Sequence, residues 1–265
     1  MLWLVGYRDR GAEAGAAGGQ ERHRGGDAPG AAERHRGGGD RRHGQSRLGG
    51  QLRAQGFLRG RRSQGTSGIV CILQERRLMG PAEIRDFVNS LRSTFSSIEA
   101  LSIPTIAVVE GAAFGGGLEL ALSCDLRICG KDAKFSLPET SLAIIPGAGG
   151  TQRLPRIVGR SRAKELIFTG RRFDAAEAVS MGVVNYCVPA GEAYQKALEL
   201  AREINQKGPL AIKMAKKAIN GGAEVDMTSA LAVEEECYEQ VLHTQDRLEG
   251  LAAFAEKRKP VYTGK

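Results

Sequence analysis

Histidine is almost absent from the C-terminal three quarters of this 265-residue chain, lysine is missing from its start, and no long apolar run occurs anywhere. Each absence excludes something. Without a stretch of about 18 apolar residues, no membrane span is expected. The opening Met1-Leu2-Trp3-Leu4-Val5 is apolar but too short for the hydrophobic core of a signal peptide. Beyond residue 66 the only histidine is His243, which argues against a His-ligated metal or a Ser-His-Asp triad there. The five cysteines (Cys71, Cys124, Cys129, Cys187 and Cys237) are scattered and form no CxxC, so neither a disulfide framework nor a zinc site is expected. A reducing compartment is the default. The GxxxxGK[ST] of a nucleoside-triphosphate loop is also missing.

What is present divides in two. The formal charge of +8 would suggest a nucleic-acid partner if it were evenly spread. It is concentrated in residues 1–66, where 13 Arg and no Lys stand against 6 acids. The remainder is nearly balanced. The same segment holds 17 of the 36 glycines and shows no sustained helical or strand period. Such a composition buries too little apolar surface to offset chain entropy. Residues 1–67 are therefore read as a low-complexity Arg/Gly-rich segment, disordered or aberrant. An RNA-binding arm is the sharper reading of that segment. It lacks interleaved aromatics for stacking bases, so RNA is an unsupported partner.

From about Gly68 the pattern is that of a folded domain. Ile84, Phe87, Val88, Leu91, Phe95, Ile98 and Leu101 recur at spacings of three and four, predicting an amphipathic helix over 81–101 that Pro104 ends. Thr105 to Val109 is a short β-branched run, expected to be a buried strand. Gly115-Gly116-Gly117 then opens a helix to about Cys124. Short strands are expected at 126–128, 133–136 and 183–188. Helices are expected at about 161–169, 175–181, 192–205, 210–220 and 227–242. The chain reads as α/β followed by a helical C-terminal subdomain.

Two stretches can carry chemistry. Glycines at a helix start let the backbone approach a ligand and leave N–H groups without intrahelical partners. A triple glycine is also used simply to pack a strand against a helix. Glu119 lies in the first turn of that helix, among Leu118, Leu120, Ala121 and Leu122, and faces either water or a cavity. Glu139 follows Pro138 at a strand end and precedes the apolar, glycine-rich run Leu142 to Gly150. A carboxyl in apolar surroundings can act as an acid, although an ordinary loop glutamate fits this stretch equally well.

Taken together, these stretches resemble the enoyl-CoA hydratase/isomerase (crotonase) superfamily. The matching residues are Pro104 to Ala107, GAAFGGGLEL from Gly111 to Leu120, Cys124 to Arg127, Pro138-Glu139, and IPGAGGTQRLP from Ile145 to Pro155. Ala163 to Gly170, Glu177-Ala178, Gly182 to Val184, Arg247 to Gly250 and Phe254 to Arg258 also match. The resemblance covers about 68–265 and is most similar to the organellar enoyl-CoA hydratases, including the methylglutaconyl-CoA type.

The resemblance implies a ClpP/crotonase-like spiral core, incomplete at its N-terminus, over 68–190, with a helical trimerisation subdomain over 191–265. It implies a lyase that adds water across the α,β-double bond of an enoyl-CoA thioester, in fatty-acid β-oxidation or branched amino-acid catabolism in the mitochondrion. Glu119 and Glu139 match the catalytic carboxylates, and Gly116 the glycine whose N–H binds the thioester oxygen. Gly115 and Gly117 would line the coenzyme A site, and Lys257 would reach the coenzyme A of a neighbouring subunit in a trimer or hexamer. Coenzyme A is the acyl carrier, with no tightly bound cofactor and no metal.

The departure lies upstream. The family's segment reading F-C-A-G-A-D-L-K-E, which supplies a second oxyanion donor, is replaced by Gly68 to Met79, in which Cys71 matches but Ala-Gly-Ala-Asp-Leu is missing. The Arg/Gly tract stands where a strand and helix are expected, as an out-of-frame or alternatively spliced start would read. Low activity is therefore expected of this exact polypeptide. Two alternatives differ in class: a non-catalytic crotonase-fold protein that binds RNA or other subunits, and an enoyl-CoA isomerase. The presence of both glutamates favours hydration over isomerisation.

Overall fold

The apolar spacing between Ile84 and Ile98 produces helix α1, Pro81–Glu99, which buries Leu91, Phe95 and Ile98 on one stripe. The computed structural model describes residues 3–7, by their backbone, and 78–265. After α1 the chain enters β2, Thr105–Val109, whose five residues are all buried, as a strand covered on both faces requires. β3 (Ala112–Phe114), α2 (Gly116–Leu122), β4 (Leu126–Gly130) and β5 (Lys134–Ser136) follow in close succession. A 3-10 turn over Glu139–Leu142 leads to α3 (Gly150–Val158) and α4 (Arg160–Thr169). Then come β6 (Phe173–Asp174), α5 (Ala175–Ser180) and β7 (Tyr186–Val188). Four helices close the chain: α6 (Ala193–Ile204), α7 (Pro209–Gly222), α8 (Met227–Leu242) and α9 (Gln245–Ala255).

The described strands form two sheets. One is wholly parallel, in the order β1-β2-β4-β7, where β1 is Trp3–Tyr7. The other runs β3-β5-β6, with β3 parallel and β6 antiparallel to β5. Helix α6 covers the first sheet through Ala193, Ala197 and Ala201, a small-residue stripe that packs on Ile106, Val108 and Ile128. In the second sheet Phe135 stacks on Phe173 with centroids 5.5 Å apart. A buried polar knot ties sheet to helices. Asp125 Oδ2 accepts from Thr105 N (2.7 Å), Thr105 Oγ1 (2.9 Å) and Lys216 Nζ (2.7 Å). Beside it the buried Arg127 guanidinium donates to the carbonyls of Val183 and Cys124, both at 2.6 Å.

Three expectations change. Residues 1–66 show no strand period in the sequence, yet Trp3–Tyr7 pairs in parallel with β2, Trp3 opposite Thr105 and Tyr7 opposite Val109. The run is apolar and largely of strand-forming types, long enough for a strand although not for a signal segment. The strand expected over 183–188 is confined to 186–188. Gly182, at φ 76°, turns the chain so that the N–H groups of Val183 and Val184 fold back onto Ala178 O. The glycine-rich run stays a turn only as far as Gly149, and from Gly150 the chain becomes α3 rather than continuing as a loop. Apart from 3–7, the low-complexity segment 1–67, its RNA reading and the Cys71 match lie outside the described residues. Among the described residues, no helix is long and apolar enough to cross a membrane.

Candidate active site

The site is built where β3 meets α2. Gly115 adopts φ 54°, ψ −124°, a conformation that favours glycine, and its N–H donates to Ser136 O across the β3–β5 pair (2.9 Å). This turn launches α2 and puts Glu119 inside the protein, with only 3% of its surface exposed. A buried carboxylate must be satisfied. Glu119 Oε1 accepts the N–H of Ala148 and that of Gly150, each at 2.8 Å. Both donors come from the segment leading into α3. Gly149 turns that segment at φ 116°. At Gly150 a Cβ would fall 2.9 Å from Pro146 Cβ and 3.1 Å from Glu119 Oε1, so glycine is what permits the approach.

Glu139 reaches the same turn from the other side. It opens the 3-10 turn after β5, and its carboxylate lies against Gly115, where a Cβ would be 2.8 Å from Glu139 Oε1. Its flanking residues are pinned to the region of α4. Ser136 Oγ donates to Gly170 O (2.9 Å) and Thr140 Oγ1 to Ile167 O (2.7 Å). Thus Glu139 lies against Gly115, at the turn from which Gly116 opens the helix that carries Glu119. A Cβ at Gly117 would meet nothing within 4 Å, so the backbone there borders open space. Lys257 is placed differently. It sits in the exposed turn after α9 at φ 54°, and no interaction joins it to the glycine turn among the described residues.

Several participants have no signal in the sequence. The amides of Ala148 and Gly150 are backbone groups, which any residue but proline supplies. Arg92, reaching over from α1, and Arg153, within α3 itself, grip the same segment and carry no local signature either. A cavity of about 420 Å³ opens on that side, lined by Arg92, Ser96, Pro146, Gly147 and Arg153 among others. No group of three or more His, Cys, Asp or Glu side chains suited to a metal occurs among the described residues. Chemically, two carboxylates around a glycine turn can orient a water molecule and exchange protons with it.

The fold is that of a crotonase, as the comparisons show. The solved enoyl-CoA hydratase of Bacillus anthracis superposes with a TM-score of 0.73 at 42% identity, covering 83% of this chain and 90% of that one. The enoyl-CoA hydratase/isomerase family model matches residues 73–265, and the chain belongs to that family. It is 70% identical over 200 residues to the probable mitochondrial enoyl-CoA hydratase 2 of Arabidopsis thaliana, covering 74% of this chain. It is 52% identical over 204 residues to the human mitochondrial methylglutaconyl-CoA hydratase, again over 74% of this chain. The matches span 66% and 60% of those two proteins, less than two thirds of their length in each case.

Proposed function

We propose that the chain is an enoyl-CoA hydratase, a lyase in which Glu119 and Glu139 hold and activate the water added to an enoyl-CoA thioester. The observation that carries this reading is a buried Glu119 carboxylate held by two backbone amides, on the helix whose N-cap residue, Gly115, lies against the Glu139 carboxylate. One carboxylate takes a proton as the water oxygen attacks the β-carbon. The pair returns a proton to the α-carbon. Gly116, as the first residue of α2, has an N–H with no intrahelical partner and would bind the thioester oxygen as it gains charge. Coenzyme A enters as the acyl carrier, with the glycine turn beside it. The names of the relatives support a mitochondrial setting and an enoyl-CoA substrate; a place in fatty-acid or branched amino-acid breakdown is part of the same proposal.

Self-assembly into a trimer or hexamer belongs to the same proposal. It is supported by large apolar side chains left exposed on the last two helices, including Leu231, Tyr238, Leu248, Leu251 and Phe254. Lys257 would serve a neighbouring subunit rather than its own. The division into 1–67, a core over 68–190 and a helical subdomain over 191–265 is likewise proposed.

Hydration of crotonyl-CoA by the full chain tests the reading, at a rate below the family norm, since the segment that resembles the second oxyanion donor is missing from 68–79. Glu119→Gln and Glu139→Gln, made separately, are each expected to lower kcat by about 10²–10⁴. A carboxylate that proves dispensable would point to isomerisation instead, and absence of any turnover by the unmutated chain to a non-catalytic role.

A further inference from the structure

Each of the two amides on Glu119 belongs to a peptide group whose carbonyl end is also held, and the two are held differently. The Gly149–Gly150 peptide gives its N–H to Glu119, and Gly149 O accepts from Gln152 N (3.0 Å) and Arg153 N (2.9 Å). It is fixed by the first turn of α3 itself. The Gly147–Ala148 peptide gives its N–H to Glu119 at 2.8 Å. Its oxygen, Gly147 O, accepts from both Nε (3.1 Å) and Nη2 (3.0 Å) of Arg92. That peptide is thus clamped by one side chain reaching over from α1, 55 residues earlier.

A peptide group is planar, so fixing its oxygen fixes the direction of its N–H. A cation on the oxygen also polarises the group and strengthens the N–H as a donor, because linked hydrogen bonds reinforce one another by about 10–30% each. The neighbouring charges make Arg92 distinctive. Arg153 is paired with Glu99 at 2.7 Å, and Arg156 with Glu224 at 2.9 Å. Arg92 spends its guanidinium on Gly147 O and on Asn89 Oδ1 (3.4 Å), both neutral acceptors. An exposed arginine is free to pair with an acid or with water. This one is committed to the peptide that holds the buried carboxylate.

We propose that Arg92 is a positioning residue for Glu119, acting through the Gly147–Ala148 peptide, an inference that rests on the role given to Glu119 above. Arg153 seconds it by donating from Nη1 to Ala148 O (3.1 Å), the next carbonyl along.

The test is residue-resolved amide hydrogen exchange on the full chain, with Arg92→Met and Arg92→Lys. Arg92→Met is expected to speed exchange of the Ala148 amide by about tenfold, as loss of a charge-assisted bond at an exposed site implies, while the Gly150 amide is unchanged. Arg92→Lys, which keeps the charge but not the two-pronged grip, is expected to fall between. Unaltered Ala148 exchange would overturn the proposal. So would equal loss at Ala148 and Gly150 with a lowered Tm, which marks general loosening. Kinetics supply a second arm. With crotonyl-CoA, Arg92→Met should lower kcat about tenfold and leave KM within about twofold, with partial recovery in Arg92→Lys. An unchanged kcat overturns the proposal. If the unmutated chain does not hydrate crotonyl-CoA, the hydratase reading falls and the exchange measurement alone decides the role of Arg92.

Discussion

Gly115 and Glu139 meet so closely that a methyl group on the glycine would lie 2.8 Å from Glu139 Oε1. The contact explains why the turn before α2 carries glycine twice over: for its positive φ, and for the room it leaves. Gly115→Ala should therefore fail in two ways. Backbone strain of this kind costs about 1–3 kcal/mol, and the added methyl displaces the Glu139 carboxylate. The expected outcome is a lowered urea midpoint together with a fall in hydration of at least about tenfold. A variant that loses stability but keeps its kcat would show that Glu139 is not held by this contact.

The knot at Asp125 makes a prediction about stability alone. Lys216 is 10% exposed and Asp125 23%, and Asp125 also binds both the N–H and the hydroxyl of Thr105. Asp125→Ala strands a nearly buried ammonium whose one remaining acceptor among the described residues is Ile103 O. Removing one partner of a buried pair costs about 3–5 kcal/mol, and the residual exposure of Asp125 argues for the lower end. Lys216→Met should cost less, because Thr105 still satisfies the carboxylate. Urea titrations of both single variants and the double variant test this. The double variant should lose less than the sum of the two, and strict additivity would contradict direct pairing.

These two cases show what a sequence reveals and what it hides. Helix α1 and strand β2 are legible because their burial follows a period of 3.6 or a solid β-branched run. Glu119 and Glu139 are legible because each stands as an acid beside glycine or proline in an apolar stretch. What holds Glu119 is not. Its partners are amides of Ala148 and Gly150, and its clamp is an arginine 55 residues before the loop it grips. Helix α3 is masked by its composition, since Gly150 at its start and Pro155 inside it suggest a loop. It forms because Leu154 finds full burial, tertiary packing overriding local propensity. β1 is hidden by its setting, a five-residue run largely of strand-forming types at the head of an Arg/Gly-rich segment.

Thiol reactivity should follow burial. Burial pushes the Cys124 thiol up to about 12, and burial together with the neighbouring Cys187 raises Cys129 to about 12. Cys129 and Cys187 are register partners on β4 and β7, yet Cys187 is exposed on the edge strand while Cys129 is fully enclosed. A thiol that stays protonated and shielded is a poor nucleophile. Under iodoacetamide at pH 8, peptide mass spectrometry should find Cys187 alkylated long before Cys124, Cys129 and Cys237. Early labelling of Cys129 would mean that β7 opens readily from the sheet.

The last contact to test holds the segment carrying Lys257. Glu249 on α9 accepts from Arg258 through both oxygens (2.6 and 2.8 Å) and from Val261 N (2.8 Å), folding the chain after the helix back onto it. The Arg258 guanidinium, seconded by that N–H, holds the Glu249 carboxyl down at about 2, against an ordinary value of 4.5. The folded state therefore binds this proton less readily than the unfolded state does. Stability from the contact is present in full above about pH 4.5 and is lost as the pH falls towards 2. Glu249→Gln cannot form the charged pair at any pH. The Tm difference between the original chain and Glu249→Gln should thus be constant near neutrality, shrink between pH 4.5 and 2, and vanish below. A gap that persists unchanged at pH 2 would place the stabilisation in the packing of Val261 rather than in the charge of Glu249.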